Sequence, residues 1–432
     1  MTATPPKPRV LIIAEAANPE WVSVPLIGWS LSRALGEFAQ THIVTQIRNR
    51  EAFLRAGLTE GVDFTAIDSE KITRPLFKLG ERLTMGKGKG WTALQAALSL
   101  AYPYFERLVW RQFSDALKRG EYDIVHRITP LSPTAPSSLA AKCQKIGVPF
   151  VIGPLNGGVP WPKGFDAARR KEREYLSYLR GFNRLRPAIR KGLKNASAIL
   201  VASRFTQSEL DKSARAKSIY LPENAVDPAR FSVQAMHGRP CLNACFVGRM
   251  VPYKGPDILL EAAAPLLKSG RMTLVMIGDG PMLEALKNQA RSLGIDQFVK
   301  FTGWLDHKDV QAEMVDCNLF AFPSIREFGG GVVLEAMALG IPPLIVDYAG
   351  PGELVRKETG FSVPIGDRQS IINGFQRELT RLQANPDLLR DTGTAGRDFV
   401  ERHFTWSQKA QQIAEVYNWV LSRRAEKPSF FG

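Results

Sequence analysis

The sequence is poor in cysteine. Its 432 residues include four cysteines, and none of them forms the Cys-x-x-Cys pair that is typical of a structural zinc site. Four scattered thiols are too few for a disulfide framework, which argues against a disulfide-stabilised secreted protein and predicts a reducing, cytoplasmic location. The four positions are Cys143, Cys241, Cys245 and Cys317.

Long apolar runs are also scarce. The run Val10–Ala14 has five residues and is followed at once by Glu15, which predicts a first β-strand and argues against a secretory signal. The charge-free stretch Trp91–Phe105 has 15 residues and includes Pro103, whereas a membrane-spanning helix needs about 20 apolar residues. We therefore predict no transmembrane segment.

Acidic residues are outnumbered by basic residues in the first half of the chain but not in the second half. Residues 1–230 hold 35 Lys and Arg against 20 Asp and Glu, whereas residues 231–432 hold 22 of each, so the net charge of +15 falls in the first half. Within it, Arg169–Lys194 carries ten basic and two acidic residues, interleaved with tyrosine and leucine. Three interpretations stay open: a solvated helix face, a surface for anionic lipid or an anionic acceptor, and a nucleic-acid surface. No nucleic-acid motif accompanies the segment, so we expect no nucleic-acid partner.

Short apolar runs alternate with segments of helical periodicity along the whole chain. Examples are RVLIIAEA and YDIVHRI in the first half, and NACFVGR and CNLFAFPS in the second. This alternation predicts an α/β protein of two doubly wound, Rossmann-like domains that face each other across a cleft. The predicted N-terminal domain spans residues 1–228, and the predicted second domain spans residues 229–408. Residues 409–432 form a predicted C-terminal helix and tail, and one option is that this helix packs on the first domain. Asn224–Pro240 lacks periodicity and is the predicted linker.

Two glutamates flank three consecutive glycines in the stretch REFGGGVVLEAMALG. Glu327 follows a predicted strand, so it lies at the carboxyl end where doubly wound sheets bind ligands. The glycines let backbone N–H groups approach oxygen atoms closely, and the N-terminus of the next helix favours a phosphate. Glu335, about one turn into that helix, suits neutral ribose hydroxyls, whereas Glu327 suits neutral hydroxyls or a developing cation. A nucleotide linked to a sugar satisfies all of these requirements.

Positive charge comes from a second strand end. In FVGRMVPYKGPDILLEA, Arg249 and Lys254 follow a strand and precede a helix, and together they form a candidate clamp for a diphosphate. IGDGP, Ile277–Pro281, is a third corner of the same kind. Each piece alone is equally consistent with a turn or with surface charge, but their order on successive strand ends is more specific.

These motifs resemble the donor domain of glycosyltransferase family 4, whose members are retaining enzymes of the GT-B fold. The resemblance runs from about Ala244 to Asp367 and includes GR…KG, GDGP, FTGW, the Glu-x7-Glu motif with AMALGIPP, and GPGELV. It implies that Arg249 and Lys254 hold the diphosphate of a UDP- or GDP-linked sugar, and that Glu327 holds the donor sugar. The other donor-binding residues it implies are Glu335, Phe328, Gly329, Gly330, Gly331, Gly278, Asp279 and Gly280.

The first half resembles the family more weakly. LPENAVDPARF keeps Asn224 and Asp227 of the family's junction, and YDIVHRI keeps His126 of the pattern D-V-V-H-x-H, which implies a catalytic role for His126. Two departures concern loops: Phe328 and Gly329 stand in swapped order relative to the family's E-G-F-G, and the glycine-rich loop after the first strand is missing.

A third departure follows the predicted strand VPFVIGP. Many members of the family have a histidine after this strand, whereas the turn GPLNGG stands here. The resemblance makes Asn156, Gly157 and Gly158 candidates for the acceptor side and for part of the donor-sugar contact, with a rigid structural turn as the alternative.

The sequence therefore predicts a metal-independent, retaining glycosyltransferase without a resident cofactor, whose co-substrate is a nucleotide-sugar. The expected acceptor is a glycan or a lipid-linked precursor of a cell-envelope polysaccharide, and peripheral attachment to the inner face of the plasma membrane is one alternative for its location. Two other functions stay open: a sugar-nucleotide epimerase or hydrolase of the same fold, and a non-catalytic nucleotide-sugar or carbohydrate-binding protein.

Overall fold

The computed structural model describes residues 6–72, 74–75, 91–171, 187–231, 233–235 and 241–431. The chain forms two compact units. The first comprises Met1–Gly158, Arg173–Glu223 and Trp406–Gly432, and the second comprises Val159–Glu172 and Asn224–Thr405. Most of the basic segment singled out above, residues 172–186, lies outside the described residues.

The first unit is built on a seven-stranded parallel sheet in the order β3-β2-β1-β4-β5-β6-β7. Most strand residues are buried, which explains why several of the strands, such as β1 and β6, are apolar runs. The strands are β1 Arg9–Ala14, β2 Gln40–Gln46, β3 Phe64–Ile67, β4 Ile124–Thr129, β5 Phe150–Leu155, β6 Ala198–Val201 and β7 Ser218–Tyr220. The described helices of this unit are α1 Val24–Leu35, α2 Arg50–Arg55, α3 Trp91–Lys118, α4 Leu139–Lys145, then α6 Pro187–Asn195, α7 Arg204–Ser208, α8 Lys212–Ala216 and α16 Trp406–Val420.

The second unit is built on a six-stranded parallel sheet in the order β10-β9-β8-β11-β12-β13. The strands are β8 Leu242–Val247, β9 Met272–Ile277, β10 Val299–Gly303, β11 Leu319–Phe322, β12 Pro343–Asp347 and β13 Phe361–Pro364. The described helices are α5 Asp166–Lys171, α9 Pro256–Lys268, α10 Leu283–Ser292, α11 His307–Met314, α12 Gly331–Ala338, α13 Ala349–Leu354, α14 Arg368–Gln383 and α15 Pro386–His403.

Two parallel, helix-flanked sheets confirm the predicted fold class. The C-terminal helix α16 packs against α1 of the first unit, where its Ile413, Val416 and Tyr417 are buried. In the predicted linker, Val226 N donates to the Phe404 carbonyl oxygen at 2.7 Å. Within the described residues, none of the helices combines the length and the apolar character needed to cross a membrane.

Candidate active site

Three loops of the second unit follow neighbouring strands, because β9, β8 and β11 are adjacent in the sheet. Gly248 and Arg249 follow β8, Gly278–Pro281 follows β9, and Ile325–Gly330 follows β11. Carboxyl ends of parallel strands share one edge of a sheet, so these loops meet at the edge where ligands bind in doubly wound folds.

The loops after β8 and β9 touch each other through their backbones. Met250 N donates to the Asp279 carbonyl oxygen at 2.8 Å, and Gly248 N donates to the Ile277 carbonyl oxygen at 3.0 Å. Gly278 has a φ of 129°, and a Cβ there would collide with the Gly248 carbonyl oxygen. Only glycine fits this position, which explains the first glycine of GDGP physically.

The loop after β11 leads directly into helix α12. Gly330 occupies the N-cap position with a φ of 61°, a left-handed conformation that favours glycine. The Glu327 carbonyl oxygen accepts a hydrogen bond from Gly350 N at 3.1 Å, which fixes the loop to the start of helix α13. The N-terminal amides of α12 are therefore held at the carboxyl edge of the sheet, a favourable place for an anion.

Lys254 and Glu327 form an ion pair across two of these loops. Lys254 Nζ lies 2.7 Å from Glu327 Oε2, and the two side chains are 15% and 22% exposed. The ammonium also lies 5.0 Å from the centroid of the Phe322 ring. Lys254 ends the short 3-10 turn Pro252–Lys254, whose Tyr253 carbonyl oxygen accepts from Ile325 N at 2.9 Å. Both charged residues were predicted as site residues from the sequence, and the structure brings their side chains into contact.

The remaining predicted residues of the second unit lie on the same loops or on α12. Arg249 is exposed, directly after β8, and Glu335 is half-buried on α12, about one turn after Gly331. Asp279 is exposed and its carboxylate accepts from Gly280 N at 2.6 Å, which shapes the loop. Phe328 and Gly329 follow Glu327 directly and are half-buried.

His126 belongs to the first unit and is fully buried. Its Nε2 lies 2.8 Å from the Gly153 carbonyl oxygen, and its Nδ1 lies 2.7 Å from the Tyr417 hydroxyl. Because a carbonyl can only accept, Nε2 carries the proton and Nδ1 accepts from the tyrosine. Burial lowers the pKa of His126 to about 4, so the ring is neutral. Both nitrogens join β4 to β5 and α16, a structural arrangement that gives no support to the predicted catalytic role.

The predicted residues Asn156, Gly157 and Gly158 also belong to the first unit, in the loop after β5. The Asn156 amide donates to the Glu223 carboxylate, and the Gly157 carbonyl oxygen accepts from the Thr206 hydroxyl at 3.3 Å. The structure thus ties this turn to the end of the first unit, and its contact with a donor sugar stays a prediction.

Sequence reasoning missed Arg326, which directly precedes Glu327. Its side chain is buried and its Nε donates to the Val159 carbonyl oxygen at 3.3 Å. The signal available in the sequence was a charged residue in an otherwise apolar strand-end segment, beside the predicted donor-sugar glutamate.

In the part of the chain that the structure describes, no three or more His, Cys, Asp or Glu side chains are grouped as they would be to hold a metal ion.

The family model for glycosyl transferases group 1 matches residues 242–399, which contain β8–β13 and all three loops. Residues 242–399 are thus a group 1 glycosyltransferase domain. This domain and the named glycosyltransferase relatives support a glycosyltransferase enzyme, as the motifs predicted. The GDP-mannose-dependent alpha-(1-6)-phosphatidylinositol monomannoside mannosyltransferase of Mycolicibacterium smegmatis is 30% identical over 56% of this chain and 66% of its own length. Several other curated glycosyltransferases are matched over less than half of their length.

Solved structures confirm the GT-B fold of this chain. Sucrose-phosphate synthase from Thermosynechococcus elongatus superposes with a TM-score of 0.62 at 16% identity, over 97% of this chain and all of the other. The HepE protein of Anabaena, in complex with UDP, superposes with a TM-score of 0.63 at 16% identity, over 94% of this chain and 99% of the other. Both GT-B structures thus share two Rossmann-like domains with this chain.

Proposed function

We propose that the protein is a retaining glycosyltransferase that moves a sugar from a UDP- or GDP-linked donor to a glycan or lipid-linked acceptor. The observation that carries this proposal is the Lys254–Glu327 ion pair beside the N-terminus of α12. A cation, a carboxylate and helix amides on adjacent strand ends match the diphosphate and the sugar of such a donor.

The proposed chemistry is electrostatic. Cleavage of the anomeric C–O bond places negative charge on the departing diphosphate and positive charge on the sugar. Arg249, Lys254 and the amides of α12 stabilise the departing diphosphate. These protein groups take the place of the divalent metal ion that some other glycosyltransferases use. Glu327 orients the sugar and stabilises its developing charge, and Glu335 accepts hydrogen bonds from the ribose hydroxyls.

Known relatives support the donor and acceptor classes. The Mycolicibacterium relative is named for a GDP-mannose donor and a phosphatidylinositol mannoside acceptor, and the Anabaena structure contains UDP. A cell-envelope glycan or glycolipid acceptor fits these names and the positive first half of the chain. We extend the proposal to a cytoplasmic protein that meets its acceptor at the inner face of the plasma membrane, with no resident cofactor.

A donor screen tests the proposal. The protein is incubated with UDP- and GDP-sugars and a lipid-linked acceptor extract, with and without EDTA, and released nucleoside diphosphate is measured. Release that requires acceptor and survives EDTA, with product of the donor's anomeric configuration by NMR, is expected. Release without any acceptor would favour the epimerase or hydrolase, and binding without release would favour a non-catalytic binding protein.

A further inference from the structure

A segment that lies between β5 and β6 of the first sheet in sequence belongs to the second unit. Val159–Lys171, named the strap here, continues directly from the turn after β5 but packs with the loops of the second unit. Its helix α5 contacts the 3-10 turn Pro252–Lys254, which carries the clamp lysine.

Arg326 contacts both the strap and the aromatic residue Phe328 in the loop that carries Glu327. The guanidinium carbon lies 5.1 Å from the centroid of the Trp161 ring and 5.1 Å from that of the Phe328 ring. Only 4% of Arg326 is exposed, and its Nε donates to the Val159 carbonyl oxygen at 3.3 Å. A buried planar cation that contacts one aromatic ring from the strap and one from the Glu327 loop holds the two segments in one arrangement.

Two further contacts hold the strap. The Tyr348 hydroxyl, just after β12, donates to the Pro160 carbonyl oxygen at 3.0 Å. The Trp161 ring meets the Tyr253 ring edge-on at a centroid distance of 6.2 Å. Tyr253 precedes Lys254, so Trp161 contacts residues adjacent in sequence to both members of the ion pair: Tyr253 beside Lys254, and Arg326 beside Glu327.

We propose that Arg326 is a positioning residue for sugar transfer, which acts on Glu327 through the strap residue Trp161 and through Phe328. This inference rests on the proposed function and adds a determinant outside the Glu-x7-Glu motif. It also explains the order Phe328–Gly329, because an aromatic residue directly after Glu327 supplies the second ring that faces Arg326. With glycine at position 328, the guanidinium would lose that ring.

The substitution Arg326→Lys keeps the charge but removes the planar group that the two rings face. We expect kcat to fall about 10-fold or more, while nucleoside diphosphate affinity changes less than about 2-fold, because the change acts on the bound sugar. Trp161→Ala is expected to behave in the same way, and Trp161→Phe, which keeps an aromatic face, to recover most of kcat. Arg381→Lys is the matched control, because Arg381 also faces a ring, that of Phe361, from helix α14.

Hydrogen exchange provides a readout that does not depend on turnover. Arg326→Lys and Trp161→Ala should each speed exchange both in Val159–Gly164 and in Glu327–Gly331, and leave Gly278–Pro281 unchanged. Faster exchange only next to each substituted residue would show a purely local, structural role and overturn the inference.

Failure of the inference is separate from failure of the proposed function. If the wild type turns over a donor, and Arg326→Lys and Trp161→Ala keep its kcat at a temperature well below Tm, Arg326 is not a positioning residue. If the wild type turns over no donor, the proposed function fails, and the exchange experiment still decides whether the strap and the Glu327 loop are coupled.

Discussion

Lys254 Nζ lies 2.7 Å from Glu327 Oε2, so the cation proposed for the diphosphate is already paired with the carboxylate proposed for the sugar. A bound diphosphate must share Lys254 with Glu327. Both side chains are largely shielded from water, which strengthens the pair and its competition with a ligand.

The pair predicts opposite effects of Glu327→Gln on binding and on turnover. Removal of the negative charge leaves Lys254 to the diphosphate, so nucleoside diphosphate affinity should rise about 3- to 10-fold. Loss of the group that orients the sugar should lower kcat by about 10²-fold. Calorimetry and steady-state kinetics measure the two quantities, and a parallel fall of both would contradict the proposed competition.

Arg249→Ala and Lys254→Ala should each lower kcat/KM by about 10²-fold or more, since a lost charge-assisted contact to the transition state costs about 2–3 kcal/mol. Thermal unfolding should change little. Lys300→Ala is the matched control, because Lys300 forms an exposed ion pair with Glu313 in the same unit. Wild-type turnover in both clamp variants, with a donor that the wild type uses, would place the diphosphate elsewhere.

Glu335→Gln should weaken nucleoside diphosphate binding about 5- to 30-fold, because a charge-assisted hydrogen bond to ribose is replaced by a neutral one worth about 1–2 kcal/mol less. The 2′,3′-dideoxy analogue should bind the variant and the wild type equally. A wild type that does not discriminate against the dideoxy analogue would make Glu335 a structural residue of α12.

His126 predicts a stability change with pH. Its pKa is about 4 in the folded protein and about 6.5 when unfolded, so its contribution is fully present above pH 6.5 and is lost as the pH falls towards 4. Between pH 7 and pH 4.5 the loss is on the order of 2 kcal/mol. His126→Gln should be less stable at pH 7 but should lack this part of the pH dependence. Denaturant unfolding at several pH values measures the difference, and identical pH slopes would refute the assignment.

The basic segment predicts salt-sensitive binding to anionic vesicles. Each Lys or Arg near an anionic surface contributes about 1 kcal/mol, over a Debye length of about 10 Å at 0.1 M salt. Charge reversal at Arg169, Arg170, Lys171 and Arg173, the last of which lies outside the described residues, should weaken co-sedimentation. Equal binding to neutral and anionic vesicles, or no binding to either, would favour the interpretation of Arg169–Lys194 as a solvated helix face.

The fold was readable from the sequence where strands are buried on both faces. β1, β11 and β12 are almost continuous apolar runs, and each was predicted within a few residues. Strand β3 was missed because its four residues, Phe64–Ile67, form no distinct apolar run, and the long helix α3 was missed because its first half carries no charge and includes Pro103. Where a predicted helix packs was harder to predict. The packing of α16 on α1 depends on tertiary contacts that the periodicity of the sequence does not encode.

In the candidate site, residue identities were readable but pairings were not. Lys254 and Glu327 were both named, yet 73 residues separate them and no local pattern joins them. The bond between Arg326 and Val159 spans 167 residues, and neither residue belongs to a motif. Such contacts depend on the tertiary fold, which joins residues that lie far apart in the sequence.

The strap also bears on how this enzyme can exchange parts with its relatives. A recombination event at Asn224 would transfer β8–β13 with the Glu-x7-Glu motif, but would leave Trp161 behind in the recipient's own N-terminal half. The inherited Arg326 would then face whatever residue the recipient supplies. The heritable donor module is therefore discontinuous in the gene, and a functional hybrid must carry residues 159–171 together with residues 224–405.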